Sequence, residues 1–393
     1  MNEAVIVGYV RTPIGKFSGG LASLSAMDLG GVAIRAALER AGVPAEQVDY
    51  VIIGHVLQAG QGQITARQAA IRGGIGMDVP ALTVNKVCLS GLTAVALADQ
   101  AIRLGEQDVV VAGGMESMSN APYLLPKARA GYRMGNGEIV DAMIHDGLWC
   151  AFDNGHMGEG SDRLNERYGI TREQQDAWAA ASHERAAAAW KDGRFANEVT
   201  PVEVPQRKGD PILVDSDEGV RPGTTTESLG KLRPAFTADG TITAGNASQI
   251  SDGAAAVVLT SRAKADELGL TPLARVVSYA TVAGPDPSLH HQPAAAIEKA
   301  AAKLGAAPDG FDLYEMNEAF ASVAIYSADR LGVPADKVNV NGGAVALGHP
   351  IGCTGARITT SLLSELHARG GGRGAAALCG GGGQGDAVLF ETL

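Results

Sequence analysis

Cys88 has a position that suits a covalent nucleophile. It lies within the motif at residues 85–91, which is followed by an apolar segment at residues 92–104 and then by Gly105. We expect so apolar a helix to be buried, with its free N–H groups and the positive end of its dipole directed at the thiol. Such a setting stabilises the thiolate that attacks a carbonyl carbon. The alternative is that Cys88 is simply a small buried apolar residue.

Cys379 has a different setting. It ends an apolar run at residues 375–378, and four glycines follow at 380–383. A strand here would deliver the thiol to the carboxyl edge of a sheet, where open α/β sheets bind ligands. The glycines would let backbone N–H groups approach a ligand closely and act as oxyanion donors. A plain flexible turn is the alternative interpretation.

His349 is the strongest candidate for acid–base chemistry. A glycine precedes it and a proline follows it, at the start of a predicted helix rather than inside one. Asn317 and Glu318 directly follow a predicted strand at residues 312–316, and His156 could line the same cleft from elsewhere in the chain. Cys353 is expected to pack in the core, and the sequence holds no cluster of ligands that predicts a metal site.

An internal repeat indicates how these residues are positioned. A helix–loop–strand pattern at residues 33–51 recurs at 296–314 without gaps, which aligns Ala33 with Ala296, Gly42 with Gly305 and Asp49 with Asp312. We therefore predict a duplicated α/β unit whose strands are mostly parallel, because strands alternate with helical patterns.

A long insertion separates the two copies. We predict a first core half at residues 1–118, completed by about 250–269, an inserted loop domain at 119–249, and a second core half at 270–393. The insertion holds one helix that begins with a capping box at residues 171–174 and ends near Gly193. So large an insertion is expected to cover a substrate, or to serve as an oligomerisation arm.

Composition excludes several classes of protein. The 393 residues are 46% hydrophobic and 19% charged, which excludes a disordered chain. The net charge of −11 disfavours binding to nucleic acid or to an anionic membrane. The four cysteines do not form a disulfide framework, and neither a signal peptide nor a membrane span is evident. We expect a cytoplasmic protein.

Taken together, these segments resemble the thiolase family over essentially the whole chain. The resemblance rests on eight motifs in order: NKVCLSG at 85–91, GGMESMS at 113–119, HMG at 156–158, LRPAF at 232–236, TAGNAS at 243–248, NEAFA at 317–321, GHPIG at 348–352 and CGGG at 379–382. It implies the thiolase fold, with two βαβαβαββ halves in five αβαβα layers plus a loop domain. It also implies a homodimer or homotetramer.

The resemblance also implies a reaction, the reversible condensation of two acetyl-CoA to acetoacetyl-CoA and CoA. Cys88 would carry the acyl group, His349 would accept its proton and help polarise a thioester carbonyl, and Cys379 would remove the α-proton of the second acetyl-CoA. Asn317 would hold a water beside His349 in one oxyanion hole. The backbone N–H groups of Cys88 and Gly381 would form the other.

Further positions match family residues that contact CoA or its pantetheine arm, namely His156, Arg221, Ser228 and Ser248. No metal or redox cofactor is implied, because the CoA thioesters are substrates. Residues 125–148, with Lys127, Arg129 and Arg133, resemble the arm and cationic loop of short-chain biosynthetic members.

One segment departs from the family pattern. After residues 284–287 the family has a Met-Gly-x-Gly-Pro turn beside the acyl pocket. In this chain residues 288–293 take the place of that turn, and the segment is one residue shorter than in the family. His290 and His291 replace the flexible glycines. We therefore expect a narrower or more polar acyl pocket and a preference for short chains.

Three other functions compete with an acetyl-CoA C-acetyltransferase. A degradative 3-ketoacyl-CoA thiolase of fatty-acid β-oxidation would accept longer chains, so chain-length kinetics would separate the two. A decarboxylating condensing enzyme that uses an acyl carrier protein would have Cys-His-His or Cys-His-Asn, and Cys379 argues against it. A non-catalytic acyl-CoA-binding relative would be expected to lack Cys88, His349 or Cys379.

Overall fold

The computed structural model describes residues 2–393, and its core is a ten-stranded sheet whose two halves, the first sheet and the second sheet, have similar strand orders. The first half contributes β1 (Ala4–Arg11), β2 (Tyr50–Gly54), β3 (Ala81–Val84), β4 (Val109–Ser117) and β5 (Ser251–Ser261). The second half contributes β6 (Ala274–Ala283), β7 (Leu313–Met316), β8 (Arg373–Gly380) and β9 (Gln384–Thr392). The spatial orders are β3-β2-β4-β5-β1 and β7-β8-β9-β6. The two halves meet where β1 pairs with β6 at Ile6 and Ala274, and no other strands of the two halves pair among residues 2–393.

The strands are mixed in direction, so the prediction of mostly parallel strands is wrong. β2 is parallel to β3 and β4, and β7 is parallel to β8, whereas all other neighbours are antiparallel. The connections between the strands explain the antiparallel pairs. β9 follows β8 through a tight turn, which can only give an antiparallel pair, and β5 enters from the insertion rather than from a crossover helix.

Helices complete five layers. The labelled helices are α1 (Ala26–Ala41), α2 (Thr65–Arg72), α3 (Ser90–Leu104), α4 (Met157–Tyr168), α5 (Arg172–Lys191), α6 (Arg262–Leu268), α7 (Gln292–Leu304), α8 (Ala321–Leu331) and α9 (Thr354–Ala368). α1 and α2 cover the outer face of the first sheet, and α7 and α8 cover that of the second. α3 and α9 pack together between the two sheets.

Shorter elements lie mostly in the insertion. They are the strands Gly15–Lys16, Tyr123–Leu124, Val140–Asp141, Trp149–Cys150, Gly155–His156, Val202–Val204 and Ile212–Val214, and the helical turns Met143–Leu148, Thr226–Leu229 and Ala344–Leu347.

The central helices approach each other through glycine. A Cβ atom on Gly91 would lie 2.8 Å from the backbone nitrogen of Ala356, and one on Gly355 would clash with the backbone of Leu92. Any larger residue would therefore push α3 and α9 apart. Since Cys88 precedes α3 and His349 precedes α9, this close crossing brings a thiol and an imidazole together.

Two predicted helices are confirmed with their end signals. α3 ends at Gly105, whose φ of 77° is left-handed, and α5 begins at a capping box formed by Thr171 and Gln174. The segment Val87–Leu104 is long and apolar enough to cross a membrane by length and composition. This segment is largely buried between the two halves of the sheet, so its apolar composition is explained by packing in the protein core.

The insertion is anchored to the second half at Glu318. This buried carboxylate accepts hydrogen bonds from Trp178 Nε1 and Ser182 Oγ of α5, each at 2.9 Å. It also accepts from Asn339 Nδ2 at 2.9 Å and from the backbone N–H of Val345 at 3.0 Å. A single carboxylate thus connects α5 to the loops that precede His349.

Because three histidines are buried in the neutral form, we expect the protein to lose stability in acid. Burial lowers the pKa of His183 to about 4 and the pKa values of His290 and His349 to about 3. Between these values and about 6.5, the unfolded chain binds protons that the folded chain does not. The free energy of unfolding should therefore fall as pH falls through this range. Glu315 has the opposite effect on stability. Burial raises its pKa from 4.5 to about 8, so between these values the folded chain holds a proton that the unfolded chain releases, and this contribution to stability grows as pH falls.

His290→Gln isolates one of these contributions. The variant keeps a donor for Asn165 Oδ1, which lies 2.8 Å from His290 Nε2. We expect denaturant unfolding to show a pH slope shallower by up to about 1.4 kcal/mol per pH unit between pH 6 and 4. The exposed His145→Gln is the matched control and should keep the original slope. An unchanged slope in His290→Gln would contradict the assignment.

Candidate active site

Cys88 and His349 form a direct pair. His349 Nε2 lies 3.2 Å from Cys88 Sγ, and Nδ1 lies 2.6 Å from Thr354 Oγ1. The Thr354 hydroxyl donates to the carbonyl of Pro350 at 2.9 Å, so it accepts from the histidine. Nδ1 therefore carries the proton and Nε2 has a free lone pair. The imidazole is held in the tautomer that can take a proton from the thiol.

Both members of the pair are neutral at rest. Burial raises the pKa of Cys88 to about 12, and this outweighs the backbone N–H groups of Cys88 and Gly381 that favour its thiolate. Burial thus opposes the stabilisation of the thiolate expected at the start of α3, because the cost of removing the charge from water is larger. Burial, and then the charge of Arg357, lowers the pKa of His349 to about 3.

Cys379 is a second buried thiol, and it lines the same cavity as Cys88. It ends β8 among apolar side chains that include Ile242, Leu289 and Phe320. Burial, and then the neighbouring Cys88, raises the pKa of Cys379 well above its usual range. Once deprotonated, such a thiol is a stronger base than an ordinary cysteine.

Two sets of polar groups could stabilise negative charge. The backbone N–H groups of Cys88 and Gly381 both act to lower the pKa of the Cys88 thiol, so they favour negative charge at this position. On the other side, Asn317 Nδ2 lies 3.4 Å from His349 Nε2. Within residues 2–393, the buried Oδ1 atom of Asn317 has no hydrogen-bond partner, so the carboxamide is available to hold a small polar group. The arrangement provides donors on both sides of the thiols.

A cavity of about 430 Å³ joins these groups. The predicted site residues that line it are Cys88, His156, Arg221, Ser248, His349, Cys379 and Gly381, with Asn317 in contact with His349. Ser228 does not line the cavity. Its side chain is exposed and donates to the carbonyl of Thr225 at 2.7 Å within a short helical turn. The structure gives Ser228 no place in the wall.

Family models match nearly the whole chain. The model described as "Thiolase, N-terminal domain" covers residues 4–263, and "Thiolase, C-terminal domain" covers 270–392. The chain belongs to the thiolase family. The predicted thiolase fold is thereby confirmed.

Individual relatives match the chain end to end. A "Probable acetyl-CoA acetyltransferase" of Mycolicibacterium smegmatis is 58% identical over 98% of this chain and 100% of its own. The "Acetyl-CoA acetyltransferase" of Pseudomonas aeruginosa is 54% identical over 99% of each chain. The crystal structure of the Bacillus anthracis acetyl-CoA acetyltransferase is similar to this thiolase with a TM-score of 0.97, at 43% identity over 100% and 99% of the two chains.

The turn at residues 288–293 corrects an expectation about the acyl pocket of this thiolase. Neither His290 nor His291 lines the cavity. His290 is buried behind the wall against Asn165, and His291 bonds to Ser288 Oγ and the Gly284 carbonyl. Only Leu289 of this turn reaches the cavity. The pocket is therefore narrowed by an apolar side chain rather than by polar ones.

His156 lines the same cavity as the two thiols. Its Nδ1 accepts from the backbone N–H of Gly158 at 3.0 Å, and its ring stacks on Phe236 at 4.6 Å. Burial lowers the pKa of His156, which favours the neutral ring. Nε2–H is then the free donor of this imidazole.

Glu116 is a supporting residue that the sequence did not reveal. Its carboxylate accepts from the backbone N–H groups of Val56, Leu57 and Gly352 at 2.9–3.2 Å and lies 3.3 Å from His55 Nε2. It thereby fixes the loop that carries His349 to the end of β2. The GGMESMS motif contained this glutamate, but only the fold shows its partners. Among residues 2–393, no group of three or more His, Cys, Asp or Glu could hold a metal ion.

Proposed function

We propose that this thiolase is an acetyl-CoA C-acetyltransferase, an acyltransferase that condenses two acetyl-CoA to acetoacetyl-CoA and CoA and catalyses the reverse thiolysis. The observation that carries the proposal is a pair of buried thiols in one cavity, one of which is paired with a neutral imidazole. Relatives that match the chain end to end have acetyl-CoA acetyltransferase names, which supports this substrate class.

The first half-reaction transfers an acetyl group to Cys88. The thiol proton passes to His349 Nε2 while the sulfur attacks the carbonyl carbon of acetyl-CoA. The bond between that carbon and the CoA sulfur breaks, and the departing CoA sulfur takes a proton from Cys379. The products are acetyl-Cys88, free CoA, an imidazolium at His349 and a thiolate at Cys379.

The second half-reaction forms the carbon–carbon bond. The Cys379 thiolate removes a methyl proton from a second acetyl-CoA, and the resulting enolate attacks the acetyl carbonyl of acetyl-Cys88. The bond to the Cys88 sulfur breaks, and this sulfur regains its proton from His349. Acetoacetyl-CoA leaves, and both cysteines and the histidine return to their starting protonation states.

The oxyanion donors match these two steps. The N–H groups of Cys88 and Gly381, which favour negative charge at the Cys88 sulfur, would receive the oxygen of the acetyl group bound to it. Asn317 and His349 would receive the enolate oxygen, Asn317 through a water that it holds. One preorganised donor of this kind typically contributes about 3 kcal/mol to transition-state stabilisation.

One experiment tests the proposal directly. Acetyl-CoA should add one acetyl group to the protein, on the peptide that contains Cys88, and acetoacetyl-CoA should be cleaved only when CoA is present. Cys88→Ala is the control and should show neither event. An active enzyme whose label lies on Cys379, or that takes up no label, would refute the assignment.

Chain length distinguishes the alternative function, a degradative 3-ketoacyl-CoA thiolase of broader range. Leu289, Met157 and Phe320 narrow the cavity, so we expect kcat/KM to fall at least tenfold, about 1.4 kcal/mol, from a four-carbon to an eight-carbon 3-ketoacyl-CoA. Leu289→Ala should reduce this gap. His291→Gln, which alters a residue behind the wall, should keep the original profile. A flat or rising profile in the unmodified enzyme would favour the degradative function.

The wider setting is also proposed. We propose a cytoplasmic enzyme of fatty-acid metabolism that needs no cofactor beyond its CoA substrates and binds neither nucleic acid nor membranes. We further propose a homodimer or homotetramer. Exposed apolar side chains within residues 123–152 support self-association: Tyr123, Leu125, Met134, Ile139 and Phe152.

A further inference from the structure

A carboxylate in the second core half binds the loop that carries the nucleophile. Asp386 Oδ1 accepts from Lys86 Nζ at 2.7 Å, and Oδ2 accepts from Thr93 Oγ1 at 2.7 Å. Lys86 lies two residues before Cys88, and Thr93 lies in the first turns of α3. The side chain of Asp386 is 7% exposed and that of Lys86 is 20% exposed, so both charges are largely removed from water. We call these three residues the 386 clamp.

The other end of the clamp is rigidly connected to the second thiol. Asp386 lies on β9, where it pairs with Leu378 of β8, and the next pair is Gly385 with Cys379. The turn between β8 and β9 carries Gly381, which lines the same cavity as Cys88 and whose N–H acts to lower the pKa of the Cys88 thiol. The clamp therefore joins the nucleophile loop to the hairpin that provides the second thiol and one oxyanion donor.

The nucleophile loop needs such support because it is strained. Val87, between Lys86 and Cys88, has a φ of +50°, a region that β-branched residues rarely adopt. Conformations of this kind persist only where surrounding contacts hold them. Local bonds help, since Ser90 Oγ accepts from the N–H of Lys86 at 2.8 Å and donates to the carbonyl of Val87 at 2.6 Å. The clamp adds contacts to this loop from the second core half.

We infer that Asp386 is a positioning residue that keeps Cys88 in register with Cys379 and Gly381 through Lys86 and Thr93. This inference rests on the proposed function, in which the two thiols act on the same pair of carbon atoms. Reacting groups must be aligned closely, and a displacement of about 1 Å can lower a rate by about a hundredfold. The clamp does not line the catalytic cavity, so its loss should change alignment rather than substrate binding.

Kinetics of single and double variants test the inference. In thiolysis of acetoacetyl-CoA, Asp386→Asn and Lys86→Met should each lower kcat by about tenfold or more, with KM within about threefold of the original. Because both remove the same ion pair, the double variant should be no slower than the slower single variant. Asp386→Glu, which keeps the carboxylate, should recover part of the loss. Glu298→Gln breaks an exposed ion pair with Arg330 and is the matched control.

The outcomes are distinguishable. A lower melting temperature with kcat unchanged would make the clamp merely structural and overturn the inference. So would multiplicative losses in the double variant, or a loss confined to KM. If Asp386→Asn does not fold, Lys86→Met and Thr93→Val decide the question by the same split. Acetoacetyl-CoA cleavage by the unmodified enzyme reports separately on the proposed function, and its absence would overturn both proposals.

Discussion

Replacing Cys379 by serine should separate the two half-reactions. We expect Cys379→Ser still to form acetyl-Cys88 from acetyl-CoA, more slowly because the thiol that protonates the departing CoA sulfur is gone. It should exchange the methyl protons of acetyl-CoA with solvent about 10²–10⁴-fold more slowly, the usual contribution of a positioned base. Burial raises the pKa of Cys379, which makes its thiolate a strong base for a weak carbon acid. A serine hydroxyl has nearly the same size but ionises far less readily.

The measurement needs two readouts on the same sample. Mass spectrometry of the Cys88 peptide follows acetylation, and proton NMR in deuterated water follows loss of the methyl signal. Cys353→Ser is a matched control, because this thiol is also buried but packs against Ala255 and Ala356. It should keep both activities. Undiminished exchange in Cys379→Ser would show that another group is the base.

Much of the architecture was predictable because local signals agreed with one another. The repeat, the glycine after α3 and the capping box of α5 are set by residues close in sequence. Strand direction was not predictable in the same way. It depends on whether a helix, a tight turn or the long insertion connects two strands, and so the antiparallel partners β5 and β9 were missed.

In the site, too, local features were predictable from the sequence and features that depend on distant contacts were not. Cys88, His349 and Cys379 could be singled out because each ends or precedes a regular element, and the fold gathers such ends at one edge. Protonation states could not be deduced, since they depend on how completely the fold removes each group from water. The roles of Glu116 and Asp386 were hidden for a related reason: each binds segments that are distant in the sequence.

The neighbouring turn shows the limit of resemblance. His290 and His291 stand where the family has glycine, which suggested side chains inside the pocket. In the structure both rings instead make hydrogen bonds behind the wall, and Leu289 is the residue of this turn that lines the cavity. Side-chain direction follows from backbone geometry that a motif does not specify.

His349→Asn should block the first half-reaction, the acetylation of Cys88, before any carbon–carbon bond can form. Without an imidazole 3.2 Å from the thiol, the Cys88 proton has no acceptor in place as the sulfur attacks. Burial raises the pKa of Cys88 to about 12, so few molecules hold a thiolate at neutral pH and attack must proceed from the neutral thiol. We expect acetylation of Cys88 to slow by about 10²–10⁴-fold.

Thr354→Val provides a graded test of the same mechanism. The valine keeps the volume of the side chain but removes the acceptor of the Nδ1 proton, so the imidazole can turn or change tautomer. Rapid-quench acetylation should therefore rank the original enzyme first, Thr354→Val second and His349→Asn last. Because Thr354 contacts His349 and not the substrate cavity, its effect should fall on the acetylation rate at saturating acetyl-CoA. If His349→Asn acetylated Cys88 at the original rate, a different base would have to remove the thiol proton, and the neutral pair could not be the origin of the nucleophile.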